Sequence, residues 1–167
     1  IKLCLDNDLA IYSSHLPLDC HPEIGNNSIL AEKLGLKFEQ SFLSFQGTNI
    51  GLITKNDQKR IQIYRSLKSL FPQGISAMEF GSEQPEKVAI LTGSGQSAVN
   101  QILALGTDTL ITGELKQHHF NIAQEHKLNL YACGHYATET FGVDALGREA
   151  ADKFNLPYEF VTSDCPL

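Results

Sequence analysis

Tryptophan is absent from the 167 residues, and methionine occurs once, at Met78. With Ile1 at its head, the sequence reads as a processed product or a piece of a longer chain. No apolar run approaches the roughly 18 residues of a membrane-crossing helix, which excludes an integral membrane protein of helical type. Excess positive charge is lacking too. A net charge of −6 and a pI near 5.4 exclude nucleic-acid binding by bulk charge, so a nucleic-acid partner has no support from charge. Cys4, Cys20, Cys133 and Cys165 form no C-x-x-C pair, which argues against a zinc knuckle or a thioredoxin-type site. Each lies in or beside an apolar run. The expectation is therefore reduced thiols in or near the core and a cytoplasmic setting. There is also no internal repeat, low-complexity tract or long linker, so residues 1–167 read as a single α/β unit.

What is present is a regular second half. The apolar runs Val88–Leu91, Thr109–Thr112 and Leu128–Cys133 read as strands. Between them lie helical patterns, one with Ala98, Val99, Ile102, Leu103 and Leu105 inward and one over 115–126 with Leu115, Ile122 and Ala123 inward. A further helix from about Ala137 carries Val143, Leu146, Ala150 and Phe154, and Tyr158–Thr162 reads as a last strand. Strands joined by single helices form right-handed crossovers, so the expected class is α/β with a mostly parallel sheet flanked by helices. The first half predicts a strand over Leu9–Ser13, a helix over Asn27–Leu34, paired strands over Phe38–Ile53 and an amphipathic helix over Asp57–Phe71. That last helix would carry Ile61, Tyr64, Leu67 and Phe71 on one stripe.

Chemistry concentrates in two places. In Gly134-His-Tyr-Ala-Thr-Glu139, His135 and Glu139 stand four apart where a strand gives way to a helix, so both point to one side. Ligands of open α/β sheets collect at such strand ends. The pair reads either as two metal ligands or as a helix start with a favourable acid. His15-Leu-Pro-Leu-Asp19-Cys-His21-Pro-Glu23 packs two histidines and two carboxylates into nine residues. Imidazole plus carboxylate is the ligand set of hydrolytic Zn, Mn or Fe sites. A turn-rich loop broken by Pro17 and Pro22 could make those groups converge or leave them solvated. Thr92-Gly-Ser-Gly-Gln-Ser97 lacks a Walker lysine and a G-x-G-x-x-G pattern, and reads as a tight packing turn rather than a phosphate cradle. His118-His119 cannot both face one site, because adjacent helical residues point about 100° apart.

Leu16-Pro-Leu-Asp19 with Gly25-Asn-Asn, Thr92-Gly-Ser-Gly-Gln-Ser97, Ile111-Thr-Gly-Glu114 and Gly134-His-Tyr-Ala-Thr-Glu139 occur in one order. In this the chain resembles the Nif-three-like family, also known as GTP cyclohydrolase I type 2 homologues. The compact middle looks like the short bacterial YbgI type. The resemblance implies a Nif-three-like fold with a dinuclear metal site and assembly into a toroidal homohexamer. It implies two divalent ions per subunit (Zn, Mn, Fe or similar), with Asp19, His135 and Glu139 as ligands and Glu139 bridging. It places His15 at or near the metals, and His118 behind them, as candidate catalytic groups. The family also supplies a His-His pair from a segment that would precede Ile1, so this chain is expected to be the C-terminal two-thirds of a longer one.

The implied activity is metal-dependent hydrolysis of a purine-like ring or cyclic amide, a small-molecule substrate. Asp19 and Glu139 would neutralise the ions, His135 would hold one, and His15 or His118 would shuttle the proton. The alternative is a metal-binding, ring-forming adaptor without turnover.

Overall fold

The computed structural model describes residues 1–163 and 165. The chain opens with three helices, α1 (Lys2–Asp6), α2 (Leu16–Asp19) and α3 (Asn26–Lys33), followed by strands β1 (Lys37–Phe45) and β2 (Thr48–Lys55). Helix α4 (Arg60–Leu70) leads to β3 (Ser76–Glu79) and β4 (Lys87–Ser94). Then come α5 (Val99–Ile102) with a trailing 3-10 turn, β5 (Thr109–Glu114), α6 (His119–His126) and β6 (Asn129–Ala132). The single-turn helix α7 (His135–Thr138) and α8 (Thr140–Phe154) complete the order.

The six strands lie in one sheet in the order β1-β2-β4-β5-β6-β3. Among the described residues only the β4–β5 and β5–β6 pairs are parallel, and β5 and β6 are each reached through a helical crossover as the sequence predicts. The sheet is therefore mixed rather than mostly parallel. The β1–β2 connection at Gln46 and Gly47 is too short for a crossover, so those strands form an antiparallel hairpin. β2 meets β4 antiparallel, and the edge strand β3 meets β6 antiparallel.

Side-chain alternation along β4 explains its unbroken apolar run. Val88 and Ile90 pack with Leu30, Ile63, Leu67, Ile111 and Tyr131 on one face of the sheet. Ala89 and Leu91 pack with Val99, Ile102, Leu110 and Leu130 on the other. A strand covered on both sides has no solvent face to make polar.

Several expectations fail, for local reasons. Leu9–Ser13 and Tyr158–Thr162 form no strand, since neither segment pairs with a ladder partner among the described residues. Ile61 is exposed and Ile63 takes the inward place in α4, at a spacing of four from Leu67. Val143 and Phe154 face outward from α8, whose buried positions are Gly142 and Ala151. Of the cysteines, Cys133 alone among the described residues is buried; Cys4 and Cys20 are half-buried and Cys165 is exposed. Burial pushes the Cys133 thiol up to about 12, which makes it a core side chain and a poor nucleophile.

Candidate metal centre

The single-turn helix α7 packs on β4 and β5, and a second single-turn helix, α2, packs on α3 and α8. In α2, His15 caps the turn and Asp19 ends it; in α7, His135 begins the turn and Glu139 caps its end. Pro17 does not break the first turn, because the second helical position has no intrahelical use for an N–H. Docking the two turns side by side brings one ligand atom each from His15, Asp19 and Glu139 within 4.8 Å of one another. His135 lies against the same group, with Nε2 3.4 Å from Glu139 Oε1. Its Nδ1 is 3.4 Å from Glu114 Oε1.

A break in β4 makes room for this approach. The β4–β5 register shifts between Leu91 and Ser94, and Gly93 there adopts φ +68°. A bulge at this point re-aims the chain next to the site. The two N–H groups at the break are accepted by side chains, Thr92 N–H by Asn27 Oδ1 at 2.9 Å and Gly93 N–H by Thr138 Oγ1 at 3.0 Å. A Cβ on Gly93 would run into the Glu139 carboxylate and stand 3.2 Å from His135 Nε2. On β5, a Cβ on Gly113 would stand 2.5 Å from Gly93 O and 2.8 Å from His135 Cα. The missing side chains at 93 and 113 let α7 sit on the strand ends.

Two adjacent asparagines hold the acidic turn. Asn26 donates from Nδ2 to Asp19 Oδ1 at 2.6 Å and accepts Gly142 N–H at 2.7 Å, tying α2, α3 and α8 together. Asn27 donates to the carbonyls of Asp19 and Ile50 at 3.0 and 2.9 Å. Asn27→Ala would leave Thr92 N–H and two carbonyls without these partners in a buried place, at about 2–3 kcal/mol. Urea unfolding should report that loss; a variant as stable as the parent would remove Asn27 from the framework.

The electrostatics favour a cation. Burial raises the Glu139 pKa, and the charge of Asp19 raises it further, against the lowering effects of His135 and His15. Asp19 is 7% exposed, so two carboxylates share a half-dry pocket with only histidines to offset them. Oxygen and imidazole donors arranged around that negative charge fit a divalent ion.

The other candidates stand apart. His21 and Glu23 are exposed, and His21 Nδ1 accepts the backbone N–H groups of Glu23 and Ile24 at 3.2 Å each. The nine-residue cluster thus splits into ligand-like His15 and Asp19 and a local turn. His118 is exposed at the start of α6, its ring 4.2 Å from that of buried His119, outside the group formed by His15, Asp19 and Glu139. The segment 92–97 makes a packing turn: Gly95 N–H bonds Glu114 O, and Thr112 fills the space beside Gly95. A cavity of about 450 Å3 lined by Gln73, Ser76, Gly113 and Glu114 adjoins the His135 side. It shares Gln73, Gly74 and Gly134 with one of about 510 Å3 lined by Phe71, Tyr136 and Phe141. Sequence reading did not find Asn26 or Thr138. The Gly-Asn-Asn run and the place of Thr138 just before Glu139 in the His-Tyr-Ala-Thr-Glu motif are the local signals they leave.

The family described as Duf34/NIF3 (NGG1p interacting factor 3) matches residues 1–166. A Deinococcus radiodurans protein named GTP cyclohydrolase 1 type 2 homolog is 35% identical over 163 residues, covering 96% of this chain. The chain spans 62% of that relative's length, less than two thirds. The solved structure of the protein ybgI, described as of unknown function, is similar at a TM-score of 0.90 and 30% identity. That likeness covers 99% of this chain and 66% of the other. TTHA1606 from Thermus thermophilus is similar at a TM-score of 0.82 and 31% identity, with the same two coverages.

Proposed function

The chain belongs to the Duf34/NIF3 family, and from that premise we propose that it is a metal-dependent hydrolase. In this reading Asp19, His135 and Glu139 contribute ligands to a site for two divalent ions with His15 beside it, each subunit being part of a homohexameric ring. The reading rests on one observation above the others: two carboxylates held together in a half-buried pocket with a histidine atom within 4.8 Å of both.

Bound ions would supply a water acidic enough to ionise near neutral pH and would polarise a substrate oxygen. The chain's own side chains do the rest. Asp19 and Glu139 balance the charge, and Asn26 keeps Asp19 aimed by occupying Oδ1. His135 offers Nε2 on the same side as Glu139. His15, exposed at the pocket mouth, exchanges protons between the site and solvent.

The substrate class is a planar nitrogen ring such as a purine or a cyclic amide, in keeping with the name its curated relatives carry. The 510 Å3 cavity beside Tyr136 and Phe141 has room for a flat ring, and it meets the cavity beside Glu114 at Gln73, Gly74 and Gly134.

The test uses full-length protein loaded in turn with Mn, Zn or Fe and assayed against nucleotides and cyclic amides. Turnover that needs the metal and disappears with chelator is expected. Absence of turnover with every metal would overturn the hydrolase reading and leave a ring-forming, metal-binding adaptor.

A further inference from the structure

Glu114 ends β5 where its backbone is fixed twice: it pairs with Ser94 across the sheet, and its carbonyl accepts Gly95 N–H at 3.2 Å. Its side chain is not spent on the sheet. It stands 47% exposed at the rim of the 450 Å3 cavity, and it makes an ion-pair contact with His135 Nδ1 at 3.4 Å. The His135 ring is thus flanked by carboxylates, Glu114 on Nδ1 and Glu139 on Nε2. Gly93, beside Nε2, offers no side chain to bound the ring there, and Gly113 lies against the His135 backbone at Cα.

We infer that Glu114 is a positioning residue for the candidate metal centre: by accepting the Nδ1 proton of His135 it fixes the ring so that Nε2 faces Glu139 and the ion. The inference rests on the metal reading of the site and deepens it. A neutral imidazole carries one N–H. If Nε2 is given to a metal, that proton sits on Nδ1, and a carboxylate beside Nδ1 sets both the tautomer and the ring angle. Neither His135 nor Glu114 belongs to the group whose donor atoms lie within 4.8 Å. His135 Nε2, however, stands 3.4 Å from its member Glu139, whereas the ion pair of Glu114 is to the far side of the ring. Glu114 acts through the ring rather than on the ion. Ile111-Thr-Gly-Glu114 is one of the ordered sequence motifs, and the structure supplies what its acid contacts.

Glu114→Ala and Glu114→Gln are compared with the parent in the full-length protein by zinc titration against a chelator. Ring 15N resonances of His135 are recorded with and without zinc. Glu114→Ala should weaken zinc by about 10–100-fold while saturating zinc still fills every site. Glu114→Gln should recover part of that loss, because the amide oxygen can still accept the Nδ1 proton. In the zinc form the Nδ1 resonance should move in the alanine variant more than in the glutamine one. Unchanged affinity in both variants overturns the inference. Loss of one ion at saturation also overturns it, since Glu114 would then be a ligand. If the parent binds no zinc at all, the metal reading fails separately. The metal-free Nδ1 resonance then decides: a shift in Glu114→Ala supports the Glu114–His135 contact, and none overturns it.

Discussion

Replacing Glu139 by Gln in the full-length protein should remove at least one metal ion per subunit, read by elemental analysis of the purified protein. The substitution keeps the shape of the side chain and removes its charge. Asp19 cannot compensate, because it is buried and its Oδ1 already accepts the Asn26 amide. Full retention of metal would show that Glu139 is not a ligand. The same variant should move metal-free stability the other way. Glu139 has a folded-state pKa raised by burial and by Asp19. Its favourable contribution is therefore present below the unfolded carboxyl range and is lost as pH rises through the raised value. Metal-free parent protein should become less stable across that window. Glu139→Gln should lack this fall and be at least as stable at neutral pH. A site that costs stability when empty and needs its charge when filled is the usual trade between fold and function.

Gly113→Ala is expected to have the largest effect on folding. The new methyl would stand 2.5 Å from Gly93 O, 2.7 Å from Thr138 Oγ1 and 2.8 Å from His135 Cα. Two of these are backbone, and Thr138 is held by Gly93 N–H and by its own turn. Nothing there can swing aside, so we expect a loss of about 3 kcal/mol by urea unfolding. Gly93→Ala makes the informative contrast. Its methyl would meet the tip of the Glu139 side chain, which can move, so the stability cost is that of the left-handed backbone, about 1–2 kcal/mol. The displaced carboxylate should nonetheless take metal binding with it. If Gly113→Ala unfolds like the parent, α7 does not sit as close to β4 and β5 as described.

The parallel centre of the sheet was legible because its strands are apolar on both faces and each crossover is one helix long. Edge elements were not. Ser76-Ala-Met-Glu79 has no strand signature, and it becomes β3 because β6 offers it a free edge. Tyr158–Thr162 has the better pattern and finds no partner among the described residues. The same logic holds at the site. His135 and Glu139 are readable because their spacing alone puts them on one side of a turn. The separation of His15 and Asp19 from His21 and Glu23 was not readable, since Pro17 looks like a breaker until it falls within the first turn. Asn26 and Asn27 were invisible in role, because their partners Gly142 and Thr92 lie 116 and 65 residues away along the chain.

The two histidine-to-carboxylate turns, α2 and α7, are four residues each. A single turn of helix does not persist alone in water. Each turn therefore exists because the other parts of the fold, near opposite ends of the chain, have already closed on it. Nascent or partly unfolded chain keeps the two turns apart, with at most one local His-acid pair in each, and so would present no complete site to an ion. Under the metal reading, loading would wait for the long-range contact that brings the two turns together, and cofactor uptake would report completed folding.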